Sequence, residues 1–291
     1  MAERRQYRTA QALRTALETR LTDMARSQGT DIQRLRRRVA FDRFLARLFS
    51  AEPKDRYPWF LKGGYAMELR IRHARATKDI DLTITATAEA GGVAGHAERV
   101  RSLLQQASSI DLPDRFTFLV GEPMLELNAP PEGGSRYPVD ATMAGRTFAR
   151  FHVDVGIGDD ALDPIDHIEG EGWFDFAGLP RPEFRIISRE QQFAEKTHAY
   201  TLPREDRENS RVKDLVDLLL LLQTNMEADR VRRNLRITFE RRRTHAIPSE
   251  LPVPPSSWKT RFEVLAKECG LDAEMNRAFQ ALAVYFSSVV M

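Results

Sequence analysis

The chain has 291 residues, of which 42% are hydrophobic, and its formal net charge is +2. This length and composition exclude a disordered chain and predict one or two domains with a sizeable core. The single cysteine, Cys269, excludes a disulfide within the chain and a cysteine-rich zinc site.

No targeting or membrane segment is visible in the sequence. The first residues, MAERRQYRTA, lack the apolar core of a signal peptide. No stretch approaches the roughly 20 apolar residues that span a bilayer. We therefore expect a soluble, cytoplasmic protein that makes no membrane contact.

The charges are distributed unevenly along the chain. Residues 1–50 contain twelve arginines and five acids, and residues 229–243 contain seven arginines and two acids. Residues 121–180 contain twelve acids and three basic residues. A basic periphery around an acidic middle suggests a polyanionic partner and a bound cation. Each basic segment alone is explained equally well by a solvated, arginine-rich helix.

The first third of the chain predicts helices followed by strand segments. Residues 8–50 carry apolar positions at a spacing of three to four, which predicts two helices separated at SQGT. A short strand at residues 58–62 leads to Gly63 and Gly64 and then to a helix, YAMELRIRH. The next segment, DIDLTIT, alternates and predicts a strand.

The middle of the chain predicts the remainder of a sheet. AEAGGVAGHAERVRSLLQQAS is typical of a loop that enters a helix, and DRFTFLVGE predicts a strand. RYPVDATMAGRTFARFHVDVGIGD predicts two or three antiparallel strands with MAGRT as a turn. Residues 159–187 are rich in proline, glycine and acids, and we expect mostly loop there.

The last third of the chain predicts helices. Ser188 and Gln191 form a capping-box pattern at the start of SREQQFAEKTHAYTL. SRVKDLVDLLLLLQ is a second helix, and PVPPSSW is a stiff linker before two final helices. The fold class is therefore α+β (or α/β): a small mixed sheet with N-terminal helices and a C-terminal helical domain. We expect the domains to be residues 1–187 and 188–291.

Asp79 and Asp81 are unusual because they lie in a segment that otherwise predicts a buried strand. Side chains at i and i+2 of a strand point to the same side, so Ile80, Leu82 and Ile84 would pack on the other. Two carboxylates on one face repel each other unless a cation neutralises them, and Mg²⁺ or Mn²⁺ prefers such ligands. Metals held by aspartates are the usual device for nucleotidyl transfer. Asp-x-Asp is nevertheless a common string with no metal role in most chains.

Two further features fit the same chemistry. Gly63 and Gly64 allow close backbone approach to a ligand, and the helix that follows offers free N–H groups to phosphate. Asp154 lies inside an apolar, alternating strand, where a lone carboxylate is costly unless it is paired or metal-bound. An ordinary turn and solvation at a strand end are the simpler explanations.

The C-terminal half adds charged candidates. Lys196 lies on a helix, and Arg211, Lys213, Asp214 and Asp217 lie at the start of the next one. A lysine close to bound phosphates would neutralise charge in the transition state. The alternative is a charge cluster at a helix N-terminus, although cations are disfavoured there.

Three segments, in order, carry a family resemblance: FLKGGYAMELRIRHARATKDIDL, FAEKTHAY and SRVKDLVDL. Together they resemble the AbiEii/AbiGii nucleotidyltransferase toxins, including the MenT-type toxins, over about residues 55–222. This family belongs to the polymerase-β-like nucleotidyltransferase superfamily. The second residue of the superfamily's frequent Gly-Ser pair is Gly64 in this chain, so a serine hydroxyl contact would have to be replaced.

The resemblance implies a role for each matched residue. Gly63 and Gly64 would hold the nucleotide phosphates, and Asp79 and Asp81 would bind the metal, joined less securely by Asp154. Lys196 would contact the triphosphate, and Asp214 would orient Lys196 or the nucleotide. The nucleotide-binding candidates beside Asp214 are Arg211 and Lys213.

The resemblance also implies a biological activity. MenT-type toxins add nucleotides from an NTP to the 3′ end of tRNA and so block aminoacylation, opposite a cognate antitoxin. In some cases the antitoxin is a kinase that modifies a residue two positions before the first metal aspartate, which corresponds here to Thr77. A phosphate there would compete for metal and repel the NTP, although Thr77 also suits the simple start of a strand.

Two other functions remain open at the sequence level. The same fold modifies small molecules or proteins in other enzymes, as in an aminoglycoside-type adenylyltransferase. A non-catalytic module that binds RNA or the antitoxin, with structural aspartates, is the second alternative.

Overall fold

The structure is a computed structural model, and it describes residues 7–50, 59–84, 96–127, 133–203 and 211–290. The loop expected at AEAGGVAG, residues 88–95, lies outside the described residues. Among the described helices, none is both long and apolar enough to cross a membrane.

The described residues contain helices and strands in the alternating order expected of a mixed fold. The helices are α1 (Ala10–Gln28), α2 (Ile32–Ser50), α3 (Gly63–Arg70), α4 (His96–Ser108), α5 (Arg189–Thr201), α6 (Val212–Leu222), α7 (Ala228–Arg242), α8 (Lys259–Glu268) and α9 (Met275–Val290). The strands are β1 (Trp59–Lys62), β2 (Asp79–Ile84), β3 (Phe116–Val120), β4 (Leu125–Leu127), β5 (Gly134–Met143), β6 (Arg146–Ile157), β7 (Asp166–Glu169) and β8 (Glu183–Ile186).

The chain divides into two compact units. The sheet unit comprises Met1–Leu61, Ala76–Asp160 and His167–Ile186. The helical unit comprises Lys62–Arg75, Ala161–Asp166 and Ile187–Met291. Two short segments that precede Ile187 in sequence therefore group with the C-terminal helices.

The sheet unit is built on one mixed sheet, as the sequence predicted. The strand order is β3-β5-β6-β2-β1-β8-β7, and β4 pairs with β5. Strand β2 runs parallel to β6, whereas β5 runs antiparallel to both β3 and β6. The long β5–β6 hairpin turns at Ala144 and Gly145, inside the predicted MAGRT turn. This order brings β2, β6 and β5 side by side at the centre of the sheet.

One face of these central strands is covered by helix α2. The rings of Phe41 and Phe44 make edge contacts with Phe151 of β6, at centroid distances of 5.0 and 5.7 Å. Val153 and Val155, on the same side of β6, are buried. Because strand side chains alternate between faces, the residues between them point to the opposite, less buried face. That opposite face carries the acidic residues.

The helical unit has its own apolar core. Helices α5–α9 and α3 contribute to it, and its fully buried members include Phe193, Leu215, Leu218, Phe262 and Phe286. Ser188 caps α5 as predicted, because its hydroxyl accepts a hydrogen bond from the Gln191 N–H at 3.1 Å. The apolar side chains of α6, VKDLVDLLLLL, are buried almost throughout. This packing fixes the polar residues at the start of α6 in place.

The expectation of mostly loop at residues 159–187 missed two strands. Strands β7 and β8 have four residues each, and β8 pairs in parallel with β1 through Leu61 and Ile186. Four residues are too few for an alternating pattern to stand out in sequence. Pairing with strands from elsewhere in the chain, rather than a local pattern, defines these two strands.

Candidate functional site

The sheet unit brings three predicted carboxylates onto one face. Asp81 of β2 lies in register with Asp154 of β6, and Asp79 lies in register with His152. All four residues are half-buried, whereas Ile80, Leu82 and Val153 between them are fully buried. Asp79 and Asp81 therefore lie on one face of β2, as their spacing predicted. Asp154 of the neighbouring strand adds a third acid to this face.

A guanidinium group neutralises part of this acidic face. Arg136 of β5 lies in register with Asp154 and donates two hydrogen bonds to its carboxylate, both at 2.7 Å. The same group lies 3.6 Å from an Asp79 carboxylate oxygen. The hydrogen bond to Asp154 raises the pKa of Arg136, so this cation stays fully charged. Sequence reasoning missed Arg136, although its position in an alternating strand beside β6 was a usable signal.

A histidine also lies beside the first aspartate. Nδ1 of His152 is 3.3 Å from Oδ1 of Asp79. His152 stands two residues before Asp154 on β6, so its side chain shares the face of that carboxylate. Sequence reasoning missed this residue too, even though the i, i+2 relation that selected Asp79 and Asp81 applies equally to it.

The donor chemistry of this face fits a divalent cation. Asp79 and Asp81 have carboxylate oxygens, the hard ligands that Mg²⁺ and Mn²⁺ prefer. The side chain of Arg136 already places one positive charge beside Asp154 and Asp79. Among the described residues, no group of three or more His, Cys, Asp or Glu side chains is arranged to hold a metal ion. Asp79 and Asp81 could supply oxygen ligands to such an ion, whereas both oxygens of the Asp154 carboxylate accept hydrogen bonds from Arg136.

In the helical unit, the glycine pair forms the start of α3. Gly63 has φ +65°, in the left-handed region that favours glycine, and Gly64 is buried. The Gly63 carbonyl accepts a hydrogen bond from Nε2 of Gln192 on α5 at 2.7 Å. Lys62, just before the pair, lies 3.5 Å from the Glu195 carboxylate. The glycines are therefore fixed against the helix that also carries Lys196.

Lys196 belongs to a buried ionic network. Its ammonium nitrogen lies 2.9 Å from Asp214 and 2.8 Å from Asp217, both on α6. Arg75 donates two hydrogen bonds to the Asp217 carboxylate, one to each oxygen, at 2.8 and 2.7 Å. We call Arg75, Lys196, Asp214 and Asp217 the lysine network. Its two cations and two anions balance each other.

The network keeps Lys196 and Asp217 charged. Burial alone would lower the pKa of Lys196, but the charges of Asp214 and Asp217 outweigh it and leave the pKa above its ordinary value. Burial alone would raise the pKa of Asp217, but Lys196 and Arg75 lower it below its ordinary value. Sequence reasoning placed Asp217 near Asp214 without giving it a role, and it missed Arg75 altogether.

The remaining candidates lie at the edges of these clusters. Arg211 precedes α6, is 45% exposed in its side chain and lies 3.4 Å from the Asp214 carboxylate. Lys213 is exposed on the first turn of α6. In the sheet unit, Thr77 is half-buried and its hydroxyl donates to the Asp79 carbonyl at 3.4 Å. The structure thus places Arg211 beside Asp214 of the lysine network and Thr77 directly before the acidic strand.

Comparison with solved structures finds nucleotidyltransferases. MenT4, a nucleotidyltransferase toxin from Mycobacterium tuberculosis H37Rv, is similar with a TM-score of 0.56 and 15% sequence identity, over 93% of this chain and 99% of that one. A protein from H. pylori described as a nucleotidyltransferase has a TM-score of 0.42 and 15% identity, over 89% of this chain and 94% of that one. At such identity, the likeness to MenT4 shows a shared fold.

No curated protein matches the chain significantly. The sequence profile of one family does: it is described as nucleotidyl transferase AbiEii toxin, type IV toxin–antitoxin system, and it matches residues 43–284. Because this match extends over most of the sequence, the chain belongs to the AbiEii family of nucleotidyltransferase toxins.

Proposed function

We propose that this toxin transfers nucleotides from an NTP to the 3′ end of tRNA with the help of a divalent metal, and so blocks aminoacylation. The observation that carries the proposal is the face formed by Asp79, Asp81 and Asp154, in a chain of a nucleotidyltransferase family. In the reaction, the terminal 3′-hydroxyl attacks the α-phosphorus of the NTP in line, and pyrophosphate leaves.

The acidic face would hold the metal through Asp79 and Asp81, and Asp154 would join them if Arg136 releases it. A bound Mg²⁺ or Mn²⁺ supplies Lewis-acid stabilisation of the phosphates and lowers the pKa of the attacking hydroxyl. His152 contacts the Asp79 carboxylate and so restrains its orientation. Arg136 offsets the mutual repulsion of the carboxylates, which otherwise destabilises a sheet face with three acids.

The helical unit would serve the triphosphate. Gly63 and Gly64 would present backbone N–H groups to phosphate oxygens, without a serine hydroxyl. Lys196, kept charged by its partners, would offset the negative charge of the phosphates, and Asp214 would orient it. Arg211 and Lys213 lie close by and are exposed, so they would add positive charge without a desolvation cost.

The basic segments would bind the RNA acceptor. Residues 1–50 and 229–243 hold twelve and seven arginines, and arginine both pairs with phosphates and stacks on bases. Binding that depends on such contacts weakens steeply with salt. A salt-independent reaction would instead favour a small-molecule acceptor.

Regulation would come from a cognate antitoxin in the cytoplasm. If that antitoxin is a kinase, Thr77 is its target, because a phosphate there would lie directly before Asp79 and repel both metal-bound phosphates and the carboxylates.

The test is a transfer assay with purified protein, Mg²⁺, each labelled NTP in turn and a tRNA pool, resolved on a gel. The proposal expects label at tRNA 3′ ends and none after the terminal hydroxyl is oxidised with periodate. Label on a small molecule or on protein instead would establish the alternative nucleotidyltransferase. Absence of transfer to any acceptor, together with absence of divalent-metal binding by calorimetry, would favour a non-catalytic module.

A further inference from the structure

A cavity of about 450 Å³ in the helical unit lies between α7, Ile247 and the end of α9. Its apolar floor includes Leu235, Ile247 and Val289, and its rim includes one acid and three arginines: Asp229, Arg232, Arg233 and Arg236. We call it the arginine-rimmed cavity. Its volume falls within the roughly 300–1,000 Å³ range of small-ligand pockets.

The rim carries a positive charge that the protein leaves largely uncompensated. Arg232 pairs with Asp229 at 2.6 Å and also donates to the Val289 carbonyl at 3.0 Å. Arg233 donates to the Asp163 carbonyl, a neutral acceptor. Arg236 has no ion-pair partner within the described part of the chain. Two of the three arginines that line the cavity, Arg233 and Arg236, thus have no carboxylate partner among the described residues.

The combination of an apolar floor and a rim of arginines suits an unpaired nucleotide. A nucleobase is a flat ring with an apolar face, which an apolar floor and planar guanidinium groups can stack against. Its phosphates are anions that exposed arginines bind. An acidic peptide would also be attracted by the charge, but its carboxylates would gain nothing from the apolar floor. The apolar floor therefore favours RNA over an acidic protein.

We propose that the arginine-rimmed cavity is a docking site for one unpaired nucleotide of an RNA, with Arg233 and Arg236 binding its flanking phosphates. The inference rests on the proposed function, because it assigns part of the recognition of the RNA acceptor to this site. The cavity lies apart in sequence from every residue to which we assign catalysis, so binding and transfer can be measured separately.

The experiment measures binding of a fluorescent single-stranded RNA and of tRNA by anisotropy across a salt series, without NTP. The variant pair Arg233→Gln/Arg236→Gln should weaken binding and reduce the slope of log affinity against log salt by about 1.4, since each single-strand phosphate contact contributes about 0.7. A matched control, Lys259→Gln/Arg261→Gln, removes the same charge from exposed positions of α8 and should leave the slope unchanged.

A second variant tests the apolar floor. Ile247→Asn should place a polar group in the apolar floor and weaken RNA binding at least about fivefold without altering the salt slope, because apolar contact with the base rather than charge is lost. Val264→Asn, at an exposed position of α8, is its control. Equal losses in the Arg233/Arg236 variant and the Lys259/Arg261 variant, or unchanged binding in Ile247→Asn, would overturn the inference.

Two outcomes separate this inference from the proposed function. If the wild-type protein binds RNA through the cavity but transfers no nucleotide, the docking site stands and the proposed function fails. If transfer to tRNA proceeds and the cavity variants bind RNA normally, the function stands and the docking site fails. If poly-glutamate displaces the labelled RNA as effectively as unlabelled RNA does, in both the wild type and Ile247→Asn, the site binds an acidic protein and the inference is overturned.

Discussion

Replacing Asp217 by asparagine tests the lysine network at its most buried point. The Asp217 side chain is 0% exposed and accepts two hydrogen bonds from Arg75 and a close contact from Lys196. Asparagine has nearly the same shape, but it removes one negative charge and directs an amide donor at two cations. The network then changes from two cations and two anions to two cations and one anion.

The expected loss of unfolding free energy in Asp217→Asn follows from the burial of the Asp217 carboxylate. Hydrogen bonds to charged groups contribute about 1.5–3 kcal/mol each, but these three contacts share one desolvation cost and do not add. Breaking a buried ion pair from one side typically costs about 3–5 kcal/mol, and we expect a loss of unfolding free energy in this range. Equilibrium urea unfolding, followed by circular dichroism, measures it.

Two comparisons make this prediction specific. Arg75→Met combined with Asp217→Leu removes both charges and should recover most of the loss, because no buried charge is left unpaired. Asp140→Asn, which breaks an exposed pair with Arg150, should leave the unfolding free energy unchanged. If Asp217→Asn costs less than about 1 kcal/mol, the lysine network does not have the buried, coupled character assigned to it.

The pH dependence of the unfolding free energy tests the same network. The pKa of Asp217 is lowered below its ordinary value of 3.8 in the folded protein. Its contribution is therefore fully present above that ordinary value and is lost as the pH falls through the folded pKa. The stability difference between the wild type and Asp217→Asn should be constant near neutral pH and shrink in acid. A difference that grows as the pH falls would contradict the assigned direction.

Three further changes have defined outcomes. Arg136→Met should raise the affinity for Mn²⁺ at least about tenfold by calorimetry, because it frees Asp154 and removes a cation near Asp79; equal or weaker affinity would refute this competition. Gly63→Ala should lower the unfolding free energy by about 1–2 kcal/mol, since φ is +65° there, and an unchanged value in urea unfolding would contradict that strain. Thr77→Glu should slow nucleotidyl transfer whereas Thr77→Val should not, and equal rates for the two variants would remove Thr77 as a regulatory position.

Local signals were sufficient to predict much of the fold. The helical periodicity before and after SQGT predicted α1 and α2, and Ser188 marked the start of α5. The alternation in DIDLTIT and the MAGRT turn predicted β2 and the β5–β6 hairpin. These features depend on side chains within a few positions of each other. Strands β7 and β8 were missed because their pairing, rather than their own sequence, defines them.

The same distinction, between signals within a few positions and pairing of distant segments, separates the site residues that were identified from those that were not. Asp79 and Asp81 are two positions apart, so strand geometry alone places them on one face. Arg75 and Asp217 are separated by 142 positions, and only the folded helical unit shows that they form a pair. Arg136 was missed because the register of β5 on β6, which sets it opposite Asp154, is a tertiary property.

The most direct test of the central claim is the single-turnover rate of nucleotidyl transfer for Asp81→Asn. Asp140→Asn is the matched control: Asp140 lies on β5 of the same sheet, also beside an arginine, but its carboxylate is exposed and pairs with Arg150. If the acidic face holds the metal, Asp81→Asn should lose at least about a hundredfold in rate while Asp140→Asn keeps the wild-type rate. Equal rates for the two variants would contradict the assignment of this face to catalysis.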